Sequence, residues 1–287
     1  MIRNDVFCVD GMVMDGVPEH QPEIVLVEGG RGLELTMKEV IPNPGVDIAQ
    51  YSVSSAQLDD IVKSRKIDVL NGGFVRLVDS MGSDLSIVRS ARVSYDADWR
   101  EGDEMKDAKL IAYLMKNRHT SPFESVSFTF EVKAPIFVFR QWHRHRTWAY
   151  NEISARYTEL DEGYYVPELD QITEQSTSNK QMRTKEQHPR AEVFRNQMNY
   201  HNALAFDAYR DMILRGCPRE LARSVLPVAA YSRMFATVSL LNLFRFISLR
   251  SHEHAQYEIR VYSDAMLNLI EPIVPVAVSA FKEFWKP

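Results

Sequence analysis

The residues Arg140-Gln141-Trp142-His143-Arg144-His145-Arg146 and Asn151-Glu152-Ile153-Ser154-Ala155-Arg156-Tyr157 concentrate the chemistry of this chain. Four arginines and two histidines fall within seventeen positions. Guanidinium forks bind phosphate bidentately, and Ser154 with the amides near Arg156 can complete a small anion site. Arg140 and Arg144 share a face if both lie on one helix. Trp142, Trp148 and Tyr150 are interleaved with the charges, and flat rings beside arginines favour a nucleotide or an aromatic cofactor over a merely solvated basic face.

Other candidates are weaker. His143/His145 and His252/His254 are spaced as His-x-His, which converges on a metal only where the backbone is extended. No carboxylate sits at the spacing of a metal hydrolase, so no metal is expected. His119 precedes Thr120-Ser121-Pro122-Phe123-Glu124 in a turn, where a lone histidine is ordinarily structural. Cys8 and Cys217 are the only cysteines, too few for a disulfide framework. Cys217, before Pro218, has nothing beside it that marks a nucleophile.

These residues must be held by a globular scaffold. The 287 residues carry 34 basic and 39 acidic side chains, net −5, which excludes coating nucleic acid by charge alone. The 45% hydrophobic and 25% charged fractions are those of an ordinary folded chain. No apolar run reaches the ~18–20 residues of a membrane span, and no secretory h-region is expected, so a cytoplasmic protein without membrane or nucleic-acid partners is expected.

Residues 1–64 read as an appended β-rich piece of unknown role. In it, Val6–Val9 and Ile24–Val27 are short strands, and Gly29-Gly30-Arg31-Gly32 is a hairpin turn rather than a phosphate loop. Residues 65–287 read as the main folded domain. There Ser125–Val132 alternates strictly, with Val126, Phe128, Phe130 and Val132 on one face, and predicts a half-buried strand. Pro135 then opens a helix through Trp142, with strand as the alternative. Asp170–Pro189 is almost wholly polar and reads as a surface loop or lid. Helices are expected over Ala191–Arg215, just after Pro218, from Ser239 to Arg250 and from about His254 to Ile270. The fold class is α+β: a mixed or antiparallel sheet flanked by helices.

Arg144-His145-Arg146, seven residues and then Ser154 resembles the Arg-His-Arg-x7-Ser signature of the flavin-dependent thymidylate synthases. Ala91–Tyr95, His119–Glu124, Lys133–Phe137, Arg140–Trp142, Asn151–Tyr157, Ala222–Pro227, Leu249-Arg250 and His254–Glu258 resemble that family's segments in the same order. The resemblance covers roughly three quarters of the chain, from about Lys66 to about Ala280.

It implies reductive methylation of dUMP to dTMP. FAD is the flavin, NADPH its reductant, methylenetetrahydrofolate the carbon donor, and a homotetramer shares its active sites among subunits. By position, Arg144, His145, Arg146 and Glu152 would contact FAD, with Ser94, His119 and Ser121 near it. Gln141, Arg144, Glu152, Ser154, Ala155, Arg156 and Arg223 would hold the nucleotide, and Arg250 would lie against the uracil ring. Elementary chemistry agrees for Arg250: uracil C5 can be made nucleophilic without a cysteine adduct if a permanent positive charge stabilises the enolate-like ring.

The chain departs from the family at Ser239 and Leu241, where an Asn and an Arg are usual, and at Arg245, where Asn or His is usual. Leu241 and Arg245 are four apart, so the missing guanidinium is expected to be replaced from one turn further along. Two other functions remain open: C5-hydroxymethylation or methylation of another pyrimidine deoxynucleotide, and a catalytically silent nucleotide binder.

Overall fold

The computed structural model describes residues 24–29, 32–37, 65–94, 103–160 and 163–285. The chain divides into two units, Met1–Ser55 and Ala56–Pro287. In the first, β1 (Ile24–Gly29) and β2 (Gly32–Met37) pair antiparallel, with Gly29 opposite Gly32, as the hairpin reading expects. The Val6–Val9 strand expected from the sequence lies outside the described residues.

The second unit is organised around one sheet. Its elements run β3 (Lys66–Val69), β4 (Gly73–Met81), α1 (Asp84–Val93), α2 (Glu104–Lys116), a 3₁₀ turn (Ser121–Ser125), β5 (Ser127–Pro135), α3 (Ile136–Trp142) and β6 (Ala149–Glu152). There follow β7 (Thr173–Gln175), β8 (Arg183–Gln187), α4 (Ala191–Leu214), α5 (Arg219–Ala222), β9 (Tyr231–Ser239), α6 (Leu240–Arg250), α7 (Tyr257–Ile270) and α8 (Pro275–Phe284). The strand order is β3-β4-β5-β9-β6, and every pairing is antiparallel. This is the expected α+β class.

The alternation of β5 sets the layers. Phe128, Phe130 and Val132 face Val75 and Leu77 on β4 and Met234, Ala236 and Val238 on β9, and all are buried. Helices α6, α7 and α8 close this face with Phe244, Phe246, Ile259, Tyr262, Val278 and Phe281. Burying such a face supplies most of the drive to fold, at about 25 cal/mol per Å² of apolar surface. The opposite face of β5 is not uniformly exposed. Glu131 is buried there, ion-paired to Arg76 and 3.6 Å from Arg233 Nη1. At one point the packing admits only glycine. A Cβ on Gly73 would stand 2.0 Å from the Tyr262 hydroxyl, which donates to the Lys133 carbonyl at 2.8 Å.

Three local readings change. Asp170–Pro189 is not an unstructured loop: β7 and β8 form an antiparallel hairpin, and Arg183 on it reaches the buried Glu258 at 3.1 Å. Helix α7 starts at Tyr257 rather than near His254, because residues 252–255 turn on themselves. There the Ala255 amide donates to the His252 carbonyl at 2.9 Å, and the His254 amide to His252 Nδ1 at 3.1 Å. Helix α4 forms where expected, but of its apolar stripe Tyr209 is buried while Met198 is exposed.

Candidate functional site

Arg250 sits on the last turn of α6, and α3 runs up to it. The C-terminus of α3 is pinned by aromatic packing. The Trp142 ring is fully buried, stacked on Phe246 with centroids 4.8 Å apart and edge-on to Trp148 and Tyr262. The Tyr150 hydroxyl donates to the carbonyls of Trp142 (3.2 Å) and His145 (2.9 Å), which fixes the turn between α3 and β6. In that turn Arg250 Nε donates to His145 Nε2 and Arg250 Nη2 to the Gln141 carbonyl, both at 3.0 Å.

His145 therefore acts as an acceptor and must be neutral. Burial, and then the neighbouring Arg250 charge, hold it down to about 4. Burial also lowers Arg250 from the ordinary guanidinium value. Two of the guanidinium's donors are spent on the scaffold, and the rest have no hydrogen-bond partner among the described residues.

The flanking charges are different. Arg140, Arg144 and Arg146 are exposed and form no hydrogen bond or ion pair among the described residues. Arg140 and Arg144 do not share a helix, because α3 ends at Trp142. Nor are all the interleaved rings free to stack on a ligand. Trp142 and Trp148 are core residues, 0% and 7% exposed.

A second cluster lies at the edge of the sheet. Glu152, Ile153, Ser154, Ala155 and Arg223 line a cavity of about 330 Å³ with Ile136, Leu160, Leu226 and Ser232. Glu152 accepts from the buried Ser232 hydroxyl at 2.7 Å. Ser154 closes a turn, accepting from the Arg156 amide on Oγ (3.3 Å) and from the Tyr157 amide on its carbonyl (3.0 Å). Arg156 and Arg223 are both tied to Glu220, the first through its carboxylate at 3.8 Å and the second through its backbone carbonyl at 3.3 Å. Both guanidinium groups remain exposed. Ser232 is the residue that sequence reasoning missed. Its signal was the alternation Met234, Ala236, Val238, which marks β9 as a strand with Ser232 on the same inward face.

A third cluster unites His119, Ser121 and Ser94, which line a cavity of about 410 Å³ with Arg92, Tyr113 and Pro122. His119 is edge-on to Tyr113, 5.8 Å between centroids. The second and third clusters stand at opposite ends of the β5–β9 ladder. Ser232 and Ile136 mark the Pro135 end, and Ser121 precedes the Ser127 end. Eight residue steps at 3.3 Å put these ends about 26 Å apart. A single chain does not bring them onto one small ligand.

The three departures fall at the β9–α6 junction. Leu241 is buried in the core, whereas Arg245 is exposed. Asn242 links the other two: its amide donates to Ser239 Oγ, and Arg245 Nη1 donates to Asn242 Oδ1, both at 3.1 Å. Asn242 was not singled out from sequence. Its signal is position, three residues after Ser239 at the helix N-cap and three before Arg245 on the helix.

A five-stranded antiparallel sheet covered on one face by helices, with an arginine-rich turn at the helix–strand junction and a small polar pocket at the sheet edge, defines an α+β protein. The family of the thymidylate synthase complementing proteins matches residues 76–276. The chain belongs to this family, that of the flavin-dependent thymidylate synthases, and is an enzyme.

It is 43% identical over 230 residues to the flavin-dependent thymidylate synthase of Ehrlichia ruminantium (strain Gardel), covering 79% of this chain and 76% of that one. It is 42% identical over 219 residues to that of Thermotoga neapolitana, covering 76% and 95% respectively. A UMP/dUMP methylase, PolB from Streptomyces cacaoi, solved with 5-Br dUMP, superposes with a TM-score of 0.70 at 36% identity. That match covers 77% of this chain and all of that one.

Proposed function

We propose that the protein catalyses the reductive methylation of dUMP to dTMP, with methylenetetrahydrofolate as carbon donor and NADPH as the source of hydride through FAD. The observation that carries this reading is Arg250: a half-buried guanidinium, braced by a neutral His145 and a backbone carbonyl, with its remaining donors unpartnered among the described residues. Held against a uracil, it draws negative charge onto the ring oxygens and stabilises the enolate-like form whose C5 attacks a one-carbon unit. No cysteine is needed for this, and Cys217 is not among the residues that line the nucleotide pocket.

The pocket of Glu152, Ser154, Ala155 and Arg223 suits the nucleotide, with Arg156 beside it, Gln141 on the last turn of α3 and Arg144 in the turn that follows. The Ser154 hydroxyl and the arginines would bind phosphate. The exposed guanidinium groups of Arg144 and Arg146, which have no hydrogen-bond or ion-pair partner among the described residues, fit the pyrophosphate of FAD, with His145 and Glu152 beside it. His119, Ser94 and Ser121 would line the opposite rim, and Ser239 and Arg245 would close the site at the start of α6. FAD, when bound, supplies hydride transfer. His119, exposed in its turn, is placed to hold or move a proton at the rim.

The spacing of the clusters favours a homotetramer in which each site is completed by neighbouring subunits. The exposed Val193, Tyr200 and Leu204 share one face of α4, which agrees with a covered face in the assembly. Residues 65–287 would be the catalytic domain and 1–64 an appendage.

The test is the visible absorbance spectrum of purified protein after loading with FAD, titrated with dUMP, followed by identification of the product. A retained flavin spectrum perturbed by dUMP, with dTMP formed, is the expected result. A hydroxymethylated product would redirect the assignment to the C5-hydroxymethylation alternative. Perturbation by dUMP without any product would assign the chain to nucleotide binding alone, and no retained flavin would overturn the cofactor assignment.

A further inference from the structure

Glu258 is a carboxylate buried at 2% exposure, and nothing above gives it a part in the reaction. Its Oε1 accepts from the Tyr165 hydroxyl and from Arg183 Nη2, each at 3.1 Å. Its Oε2 accepts from Gln256 Nε2 at 2.8 Å. Gln256 Oε1 in turn accepts from Gln141 Nε2. Gln141 is the residue whose backbone carbonyl holds Arg250.

The direction of this chain of hydrogen bonds follows from charge. A carboxylate only accepts, so Gln256 must turn its NH₂ to Glu258. Its carbonyl oxygen then faces Gln141, which must donate with its own NH₂. Side-chain amides are ambiguous by shape alone, but here the ionised Glu258 selects one flip state at both glutamines. Gln141 Oε1 is left without a hydrogen bond among the described residues.

We infer that Glu258 is a positioning residue of the nucleotide site. Its buried charge fixes, through Gln256, the orientation in which Gln141 meets the ligand, and Arg183 of the β7–β8 hairpin keeps that charge tolerable in the interior. This rests on the proposed role of Gln141 in holding the nucleotide. It also gives the polar Asp170–Pro189 segment a purpose: the hairpin delivers the counter-ion.

The test is a double-mutant cycle on the FAD-loaded protein, reading dUMP affinity from the flavin absorbance. Glu258→Gln keeps the shape of the side chain but can donate, so it no longer dictates the flip. We expect it to weaken dUMP binding about tenfold, as loss of one oriented hydrogen bond implies. Turnover at saturating dUMP should stay within about twofold, because a positioning residue acts on binding. In a Gln141→Ala background the same change is expected to cost less than about twofold. An equal loss in both backgrounds, or none in either, overturns the relay.

Should Glu258→Gln fail to fold, Gln256→Met breaks the same chain at an exposed position and is expected to show the same non-additivity. The side-chain amide resonance of Gln141, followed without nucleotide, supplies an independent arm: it should shift on Glu258→Gln. A shift in a protein that does not bind dUMP would sink the proposed function and leave the relay standing. No shift would overturn the relay itself.

Discussion

Two kinds of arginine stand in the proposed site of this protein. Arg250 is half-buried, with Nε on His145 and Nη2 on the Gln141 carbonyl, behind a wall of Trp142, Trp148 and Phe246. Arg144, Arg146 and Arg223 are exposed; among the described residues the first two have no hydrogen-bond or ion-pair partner and the third has only a backbone carbonyl. A guanidinium fixed before the ligand arrives loses little freedom at the moment of reaction and can act on the transition state. An exposed one must be ordered by the ligand, so its interaction is made equally in ground and transition states. The braced arginine should therefore govern turnover, and the exposed ones affinity.

The sharpest way to break that contrast is Arg250→Lys. Lysine keeps the charge but cannot donate from two fixed nitrogens to His145 and Gln141 at once. Turnover is expected to fall by about 10²–10³, the usual cost of losing one preorganised donor. Bound FAD, by its absorbance, should be retained. A lysine variant that turns over normally would mean that charge alone suffices and that the bracing is incidental.

Arg223→Ala should behave oppositely. Losing one charge-assisted hydrogen bond to phosphate corresponds to about a tenfold to hundredfold rise in KM for dUMP, with kcat little changed. The salt dependence of KM should weaken in the variant. If kcat fell as far as kcat/KM, Arg223 would belong with Arg250 and the comparison would fail.

Arg245→Leu probes the departure from the family. Arg245 is held through Asn242 to Ser239, so its guanidinium stands in a defined place although exposed. If it substitutes for the guanidinium absent at Leu241, FAD affinity by fluorescence titration should drop by at least about tenfold. Unchanged flavin affinity would leave Arg245 a surface charge.

What could be read from the sequence follows the reach of each signal. The strand expected over Ser125–Val132 forms as Ser127–Pro135, and helices α3, α4 and α6 form close to where local period puts them, helped by Pro135 before α3 and Gly216 after α4. The cluster 140–156 was visible because its charge stands out locally. What escaped depends on contacts distant in the chain. Trp142 and Trp148 look like stacking surfaces until Phe246, some hundred residues on, is packed against them. Ser232 acquires its meaning only when β9 lies beside β6 and meets Glu152. Arg183 reads as one more polar residue in a polar segment, because its partner Glu258 is 75 residues away. The separation of His119 from Ser154 is a property of strand register, which no local pattern encodes.

The smallest expected effect concerns acid, and it tests why Arg250 is braced by a histidine. His145 is held to about 4, chiefly by burial, against an ordinary value of 6.5. At pH 7 it is neutral, and Nε2 accepts from Arg250. Below about 4 it is protonated, the acceptor is gone, and a second positive charge faces the guanidinium. Turnover should therefore be insensitive to His145 between pH 7 and about 5 and fall with a midpoint near 4.

Stability has the matching sign. Between about 4 and 6.5 the unfolded chain binds the proton that the folded chain refuses. This contribution is therefore complete above pH 6.5 and is lost as pH falls toward 4. Replacing His145 by Gln leaves a non-titrating acceptor close to the Nε2 position, and the acid limb assigned to His145 should disappear whatever happens to the plateau. A midpoint near 6.5 in the unmodified protein would show that the imidazole is solvated and that Arg250 is no better fixed than its exposed neighbours.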